Sequence, residues 1–314
     1  MASLATASAS ETNPGVVIDT QHDDLVHDSK LNYYGTTLAT ASSDRSIKIF
    51  ELGATYAHTG TLTSHTGPVW EVSWAHPKFG SLLASASFDG QCVVHRESPA
   101  RNWQVVYKHS NESPTSCNGC DFSPHELGLR LAHCYADGSV CVSTHGGADD
   151  RWSTSSFGDA PLGTNAVRFA PFGGGGRCRL ATAGCDGKVR VWEETGEGSW
   201  VCDQSCLRPV GSSHSDWVRD VAWRPGPRGC DTLASGGEDG KVLVWRKPEG
   251  SDAWETEVLG EFGGPVWRVS WSVTGTILAV SQGDDAVSLW KESDAGGWER
   301  VKEVEKGADT DVAS

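Results

Sequence analysis

The stretch that decides the fold reads His214-Ser-Asp-Trp217-Val218-Arg-Asp-Val221-Ala-Trp223 and, after a turn, Leu233-Ala-Ser235-Gly-Gly-Glu-Asp239-Gly240-Lys-Val242-Leu-Val244-Trp245. Its β-branched and aromatic residues gather in runs of strand length, and Asp239-Gly240 between two of them signals a tight hairpin. Trp254 to Phe262 adds a further strand. Four residues here can brace one another: the Trp245 indole donates to Ser235, Ser235 to His214, and His214 to Asp239. Each such bond nets only about 1 kcal/mol, but a buried, half-satisfied network costs more, so the four count as a set. A serine, a histidine and an aspartate could also suggest a nucleophilic triad. The tryptophan donor, the placement on consecutive strands and the lack of a Gly-x-Ser-x-Gly elbow favour a brace.

Working outward, the same phrase recurs. A Leu-Ala pair followed by aspartate six residues after the leucine occurs six times: Leu38 with Asp44, Leu83 with Asp89, Leu131 with Asp137, Leu180 with Asp186, Leu233 with Asp239, and Leu278 with Asp284. Successive aspartates lie 45, 48, 49, 53 and 45 residues apart, a period that points to a repeat architecture. Each unit reads as four strands: an inner one ending in Trp74, Phe122, Phe169, Trp223 or Trp271, the Leu-Ala strand, the strand after aspartate, and an outer strand near Trp103, Trp152, Trp200, Trp254 or Trp298. Four-stranded units in radial repetition make a β-propeller, here all-β with six blades over 16–304, between short tails at 1–15 and 305–314. Gly-Pro-Val-Trp-x-Val-Ser-Trp, at Gly67 to Trp74 and again at Gly264 to Trp271, ties the second unit to the last. The brace has decayed unevenly. Histidine persists as His22, His65 and His214, and only the fifth unit keeps all four members.

Composition narrows the function. A net charge of −15 offers no basic stripe for a phosphate backbone, so the expected partner is protein and not nucleic acid. No run approaches the roughly 18 apolar residues of a membrane helix, so membrane association is expected to be peripheral. Residues 1–15 lack the basic start and apolar run of an export signal, so the ten cysteines are expected to be reduced thiols in the cytosol or nucleus. Cys117-Asn-Gly-Cys120 has the spacing of a zinc pair, and Cys134, Cys141, Cys178 and Cys185 are candidate further ligands on adjoining strands, but small buried thiols in a β core are commoner, so the pair reads as core, with no metal or cofactor expected.

Closure of the ring is the open question. The sixth unit has its own outer strand, Trp298 to Val304, which leaves Val16-Val17-Ile18 as a strand without a blade. The ring is therefore expected to be open between first and last blades, and an open ring invites strands from another chain. Val16, Val17, Ile18, His27 and Asp28 are the candidate docking residues. In the alternative, Val16 to Ile18 closes an ordinary six-bladed ring.

Several phrases carry a specific resemblance: His22-Asp-Asp-Leu-Val-His27-Asp28, Asp44-Arg-Ser-Ile-Lys-Ile-Phe50, Trp74-Ala-His-Pro-Lys-Phe-Gly80, His214 to Trp223, and Ser-Leu-Trp290-Lys-Glu. Together they resemble the Sec-thirteen family of WD-repeat proteins, from about Val16 to Arg300. That resemblance implies the hydrogen-bonded WD tetrad at His214, Ser235, Asp239 and Trp245. It also implies an open six-bladed propeller completed in trans by a blade from a helical-solenoid protein. The implied role is a non-enzymatic scaffold subunit of the COPII vesicle coat in ER-to-Golgi transport and of the nuclear pore Y-complex. The implied partners are the long COPII coat protein, a nucleoporin and, in some lineages, a nutrient-signalling complex. Three other readings stay open: a nuclear-pore-only paralogue, a closed-ring adaptor that reads peptides at its channel mouth, and a hydrolase using His214 and Ser235.

Overall fold

In a computed structural model that describes residues 17–111, 113–147, 150–173, 177–196, 198–226, 231–283, 286–293 and 296–304, the repeats fold into six antiparallel sheets. The inner strands are Val26–Leu31, Val69–Trp74, Cys117–Phe122, Thr164–Phe169, Val218–Trp223 and Val266–Trp271. From each, the chain meanders outward through the Leu-Ala strand and the post-aspartate strand to the outer strand, so chain order is sheet order. Blade 5 carries one addition, the short strand Val210–Gly211 running parallel to Glu255–Glu261. The outer strand of blade 6, Trp298–Val304, is its own, as the sequence predicts.

Local chemistry fixes the hairpins. Glycine after the repeat aspartate takes a positive φ, as at Gly138 (84°) and Gly240 (71°), where a Cβ would meet the carbonyl oxygens of Ala160 at 1.8 Å and of Phe262 at 2.6 Å. Only glycine tolerates both the left-handed backbone and that approach. In blade 1 the place belongs to Arg45, which holds φ at 72° itself.

In blades 2 to 5 side chains on both faces of the sheet pack against the flanking blades, which is why their middle strands are almost wholly buried. Leu82–Ser87 is buried at every residue. Five hydrophobic clusters fill the seams between blades 1 and 2, 2 and 3, 3 and 4, 4 and 5, and 5 and 6. Hydrogen bonds reinforce them. Asp28 accepts the Val72 N–H at 3.1 Å, Glu71 the Cys120 N–H at 3.0 Å, Asp121 the Phe169 N–H at 2.8 Å and Asp220 the Val269 N–H at 3.2 Å. Each bond runs from one inner strand to the next. Asp28, Glu71 and Asp220 follow a β-bulge in the pairing, which re-aims a side chain out of the normal alternation.

One expectation is corrected. Val17 and Ile18 form no strand and pair with no blade; Val17 is 85% exposed. Among the described residues Val17 and Ile18, followed by Asp19 tied through its N–H to the Tyr56 hydroxyl, lack the sheet neighbours that make a strand worth its ordering entropy. Val16 lies outside the described residues.

Candidate partner-docking surface

The fifth-blade tetrad assembles as the residue types require. Trp245 Nε1 donates to Ser235 Oγ at 2.8 Å, Ser235 meets His214 Nε2 at 2.8 Å, and His214 Nδ1 meets Asp239 at 2.9 Å. Ser235 is fully buried between its two partners, which removes the access a hydrolytic serine needs. Asp239 also accepts the backbone N–H groups of Ser215 and Lys241. Burial alone would raise its carboxyl, but the His214 bond and these amides outweigh it and hold it at about 2.

Elsewhere the network is rewired and not simply lost. Blades 1 and 2 keep the histidine, hydroxyl and aspartate (His22, Thr40, Asp44; His65, Ser85, Asp89), with Phe50 and His95 where the indole would stand. In blade 3 the imidazole has moved onto the Leu-Ala strand as His133, bonded to Ser143 and Tyr135. In blade 4 Trp192 still donates to Thr182, while Arg190, paired with Asp186 and Asp159, stands in for the histidine. In blade 6 Trp290 finds its hydroxyl on Ser288, because Val280 offers none.

The functional question lies where blade 6 meets blade 1. Among the described residues no hydrophobic cluster joins these blades, and the inner strands Val266–Trp271 and Val26–Leu31 do not pack as the other neighbours do. The repeat supplies its own controls. The forward face of each blade presents three apolar positions to the next blade: Ala39, Ile47 and Ile49 in blade 1, through Ala234, Val242 and Val244 in blade 5. All are essentially buried. In blade 6 the same positions hold Ala279, Val287 and Leu289, still apolar, yet all three are partly exposed. The rear face of blade 1 mirrors this. Val26 is 44% exposed where Val69, Cys117, Val218 and Val266 are at 0%, and Ser29 and Leu38 are also less covered than their counterparts.

Arg268, on the inner strand of blade 6, bypasses blade 1. It donates to Glu71 at 3.1 Å and to the Trp70 carbonyl at 3.1 Å, both in blade 2. Arg168 from blade 4 bridges Glu71 and Asp220 beside it. Burial would raise the Glu71 carboxyl, but Arg168 first and then Arg268 and Lys30 hold it below its ordinary range. A charge shared across the axis thus ties four blades together.

The sequence-based docking residues divide. Asp28 is buried and engaged with Val72 and Lys30, so its carboxylate belongs to the seam with blade 2 and not to a docking face. His27 stays at the channel mouth, 2.6 Å from Ser43 Oγ and edge-on to Trp70. Burial, then Arg268, lower its pKa, so its ring is neutral at neutral pH. Around it opens a 920 Å³ hollow whose walls include Trp70, Phe88, Trp217 and Trp267. Arg219 lies between Trp217 and Trp267, 5.1 and 4.8 Å from their rings, and pairs with Glu238. Sequence reading expected an opening between blades 6 and 1 but missed this aromatic mouth and the particular residues left less covered on blades 6 and 1. A signal for the mouth existed: the second residue of each inner strand is polar or aromatic (His27, Trp70, Asn118, Asn165, Arg219, Trp267).

Known proteins share the repeats and the sequence of this chain. The repeat family described as "WD domain, G-beta repeat" matches residues 15–51, 57–96, 205–246 and 256–291. These cover blades 1, 2, 5 and 6 and omit the two blades whose networks are most rewired. The chain is 40% identical over 301 residues to "Protein SEC13 homolog" of Drosophila melanogaster, covering 90% of this chain and 82% of that protein. It is 40% identical over 312 residues to "Protein transport protein sec13" of Emericella nidulans (93% and 98%), and 40% over 307 residues to "Protein transport protein SEC13" of Yarrowia lipolytica (93% and 100%).

Proposed function

The chain belongs to the SEC13 family, and from that premise we propose that it is a non-enzymatic scaffold subunit in protein transport whose ring is open between blades 6 and 1. A helical-solenoid partner supplies the missing blade. The observation that supports this reading is the forward face of blade 6: Ala279, Val287 and Leu289 keep the apolar chemistry of a seam yet stay partly exposed, where their counterparts in blades 1 to 5 are buried. Leaving such positions in water forfeits about 25 cal/mol for every Å² of apolar surface, and an inserted sheet would recover it. Relatives named for protein transport support the biological setting. No helix among the described residues is long and apolar enough to cross a membrane, which fits attachment to membranes through a coat. The COPII outer coat and the nuclear pore Y-complex are the two proposed assemblies, with the long coat protein and a nucleoporin as the respective blade donors.

Co-expression tests this. Made alone, the chain should be poorly soluble or aggregation-prone, tractable only when dilute. A three-strand segment from a solenoid partner should render it soluble as a tight one-to-one complex, and affinity purification from cells should recover solenoid proteins. A stable monomer that gains nothing from any such segment would contradict the reading.

A second reading has one observation in its favour, the aromatic hollow around Arg219, which suits an extended peptide at the channel mouth. Substituting Trp217 and Trp267 by alanine separates the two: blade capture survives, peptide binding does not.

A further inference from the structure

The seam between blades 2 and 3 differs in chemistry from the other four. At the position three residues after the repeat aspartate the blades carry Ile47, Val140, Val189, Val242 and Val287, but blade 2 carries Cys92. At the first residue of the inner strand they carry Val26, Val69, Thr164, Val218 and Val266, but blade 3 carries Cys117. Three residues further on, Ser29, Val72, Val167, Val221 and Val269 correspond to Cys120. On the Leu-Ala strand the hydroxyl or aliphatic of Thr40, Ser85, Thr182, Ser235 and Val280 is replaced by His133. Four soft or nitrogenous donors have entered one seam at sites that other seams fill with aliphatic or hydroxyl side chains.

They also converge. The ligating atoms of Cys92, Cys117 and His133 lie within 4.8 Å of one another, and all three residues are buried. They come from three strands of two blades, so their proximity is a product of the fold and not of local sequence. We propose that Cys92, Cys117 and His133 hold one thiophilic metal ion, zinc by the donor set, in the seam between blades 2 and 3.

Tetrahedral zinc with sulfur at about 2.3 Å and nitrogen at about 2.0 Å needs donors roughly 3.5 Å apart, so small side-chain shifts complete the geometry. Cys120, a further buried thiol in contact with Cys92, lies beside the set. His133 has the second contact that a ligating imidazole needs: its ring nitrogens face Ser143 Oγ at 3.0 Å and the Tyr135 hydroxyl at 3.1 Å, so one stays anchored while the other binds. On binding, the thiols release their protons to solvent and their thiolate lone pairs form the metal–sulfur bonds. His109 and Cys141 lie within the same reach of His133.

The ring of repeats also designs the test. Cys92→Val and Cys117→Val install the residue that most other seams use, so they should fold at least as well as the parent chain. Purified in complex with its partner segment, the wild-type protein should retain about one zinc per chain by elemental analysis, and cobalt loading should give a thiolate-to-metal band in the near ultraviolet. Each valine variant should lose both signals while keeping its near-ultraviolet circular dichroism, and Cys185→Ser, remote from the set, should keep both. Metal below about a tenth of an equivalent in the wild type, with no cobalt–thiolate band, would overturn the proposal. So would full metal retention by the Cys92→Val, Cys117→Val double variant.

Discussion

The seam between blades 5 and 6 and the seam between blades 6 and 1 are written in the same residues and end differently. Ala234, Val242 and Val244 press against Val266 and Val269 and vanish from solvent. Ala279, Val287 and Leu289, their counterparts one blade on, stay partly exposed, and among the described residues no hydrophobic cluster covers them. A repeat thus specifies a face, while burial of that face depends on whether another sheet arrives.

The sharpest way to break the comparison is to place a charge at equivalent sites. Ala234→Asp buries an unpaired carboxylate in a closed seam and should cost several kcal/mol, enough to prevent soluble expression. Ala279→Asp should change the stability of the free chain by less than about 1 kcal/mol, yet abolish capture of the partner blade. Expression yield and a pull-down with the partner segment read both outcomes; equal damage from the two substitutions would erase the distinction between the seams.

A smaller effect tests whether the tetrad braces blade 5 more than its remnant braces blade 6. Ser235→Ala strands the Trp245 and His214 donors in a buried site and should cost about 1–3 kcal/mol, whereas Ser288→Ala frees only Trp290 and should cost about half as much. Denaturant midpoints of the complex would rank them.

Acid sharpens the same contrast. The Asp239 carboxyl is held at about 2, below the roughly 3.9 of an unfolded chain. Its stabilising contribution is therefore complete above pH 4 and is lost as pH falls toward 2. The Tm difference between wild type and Asp239→Asn should shrink across that window; a difference independent of pH would show that the tetrad does not carry it. In blade 2, burial lowers His95 to about 4, with His65 adding to the effect. Stability linked to it is present above pH 6.5 and lost as pH falls toward 4. His95→Trp, which restores the indole, should leave neutral stability within about 1 kcal/mol and flatten the decline in Tm between pH 7 and 5.

Much of this architecture was legible in the residues. The spacing of Leu-Ala pairs and aspartates locates every blade, and His214, Ser235, Asp239 and Trp245 meet as their donor and acceptor chemistry requires. What failed to read was anything that depends on neighbours. Val16 to Ile18 has the composition of a strand, but its described part, Val17 and Ile18, has no sheet beside it. Asp28 looks like a surface charge and is an inter-blade acceptor, because a bulge turns it away from the strand's normal alternation. His133 keeps a role in its blade's network from an unexpected strand, so a search for histidine ahead of the inner strand passes over it. The exposure of Ala279 and Leu289 leaves no trace in their own identities, since the same residue types are fully covered elsewhere.

The central claim, that the seam between blades 6 and 1 is vacant in the free chain and filled by a partner, is tested most directly by thiol labelling at paired positions. Leu289→Cys should react rapidly with a small maleimide in the free protein and become strongly protected once the partner segment binds, while Val244→Cys should stay protected in both states. Protection of Leu289→Cys in the free chain, or its full reactivity in the complex, would contradict the account.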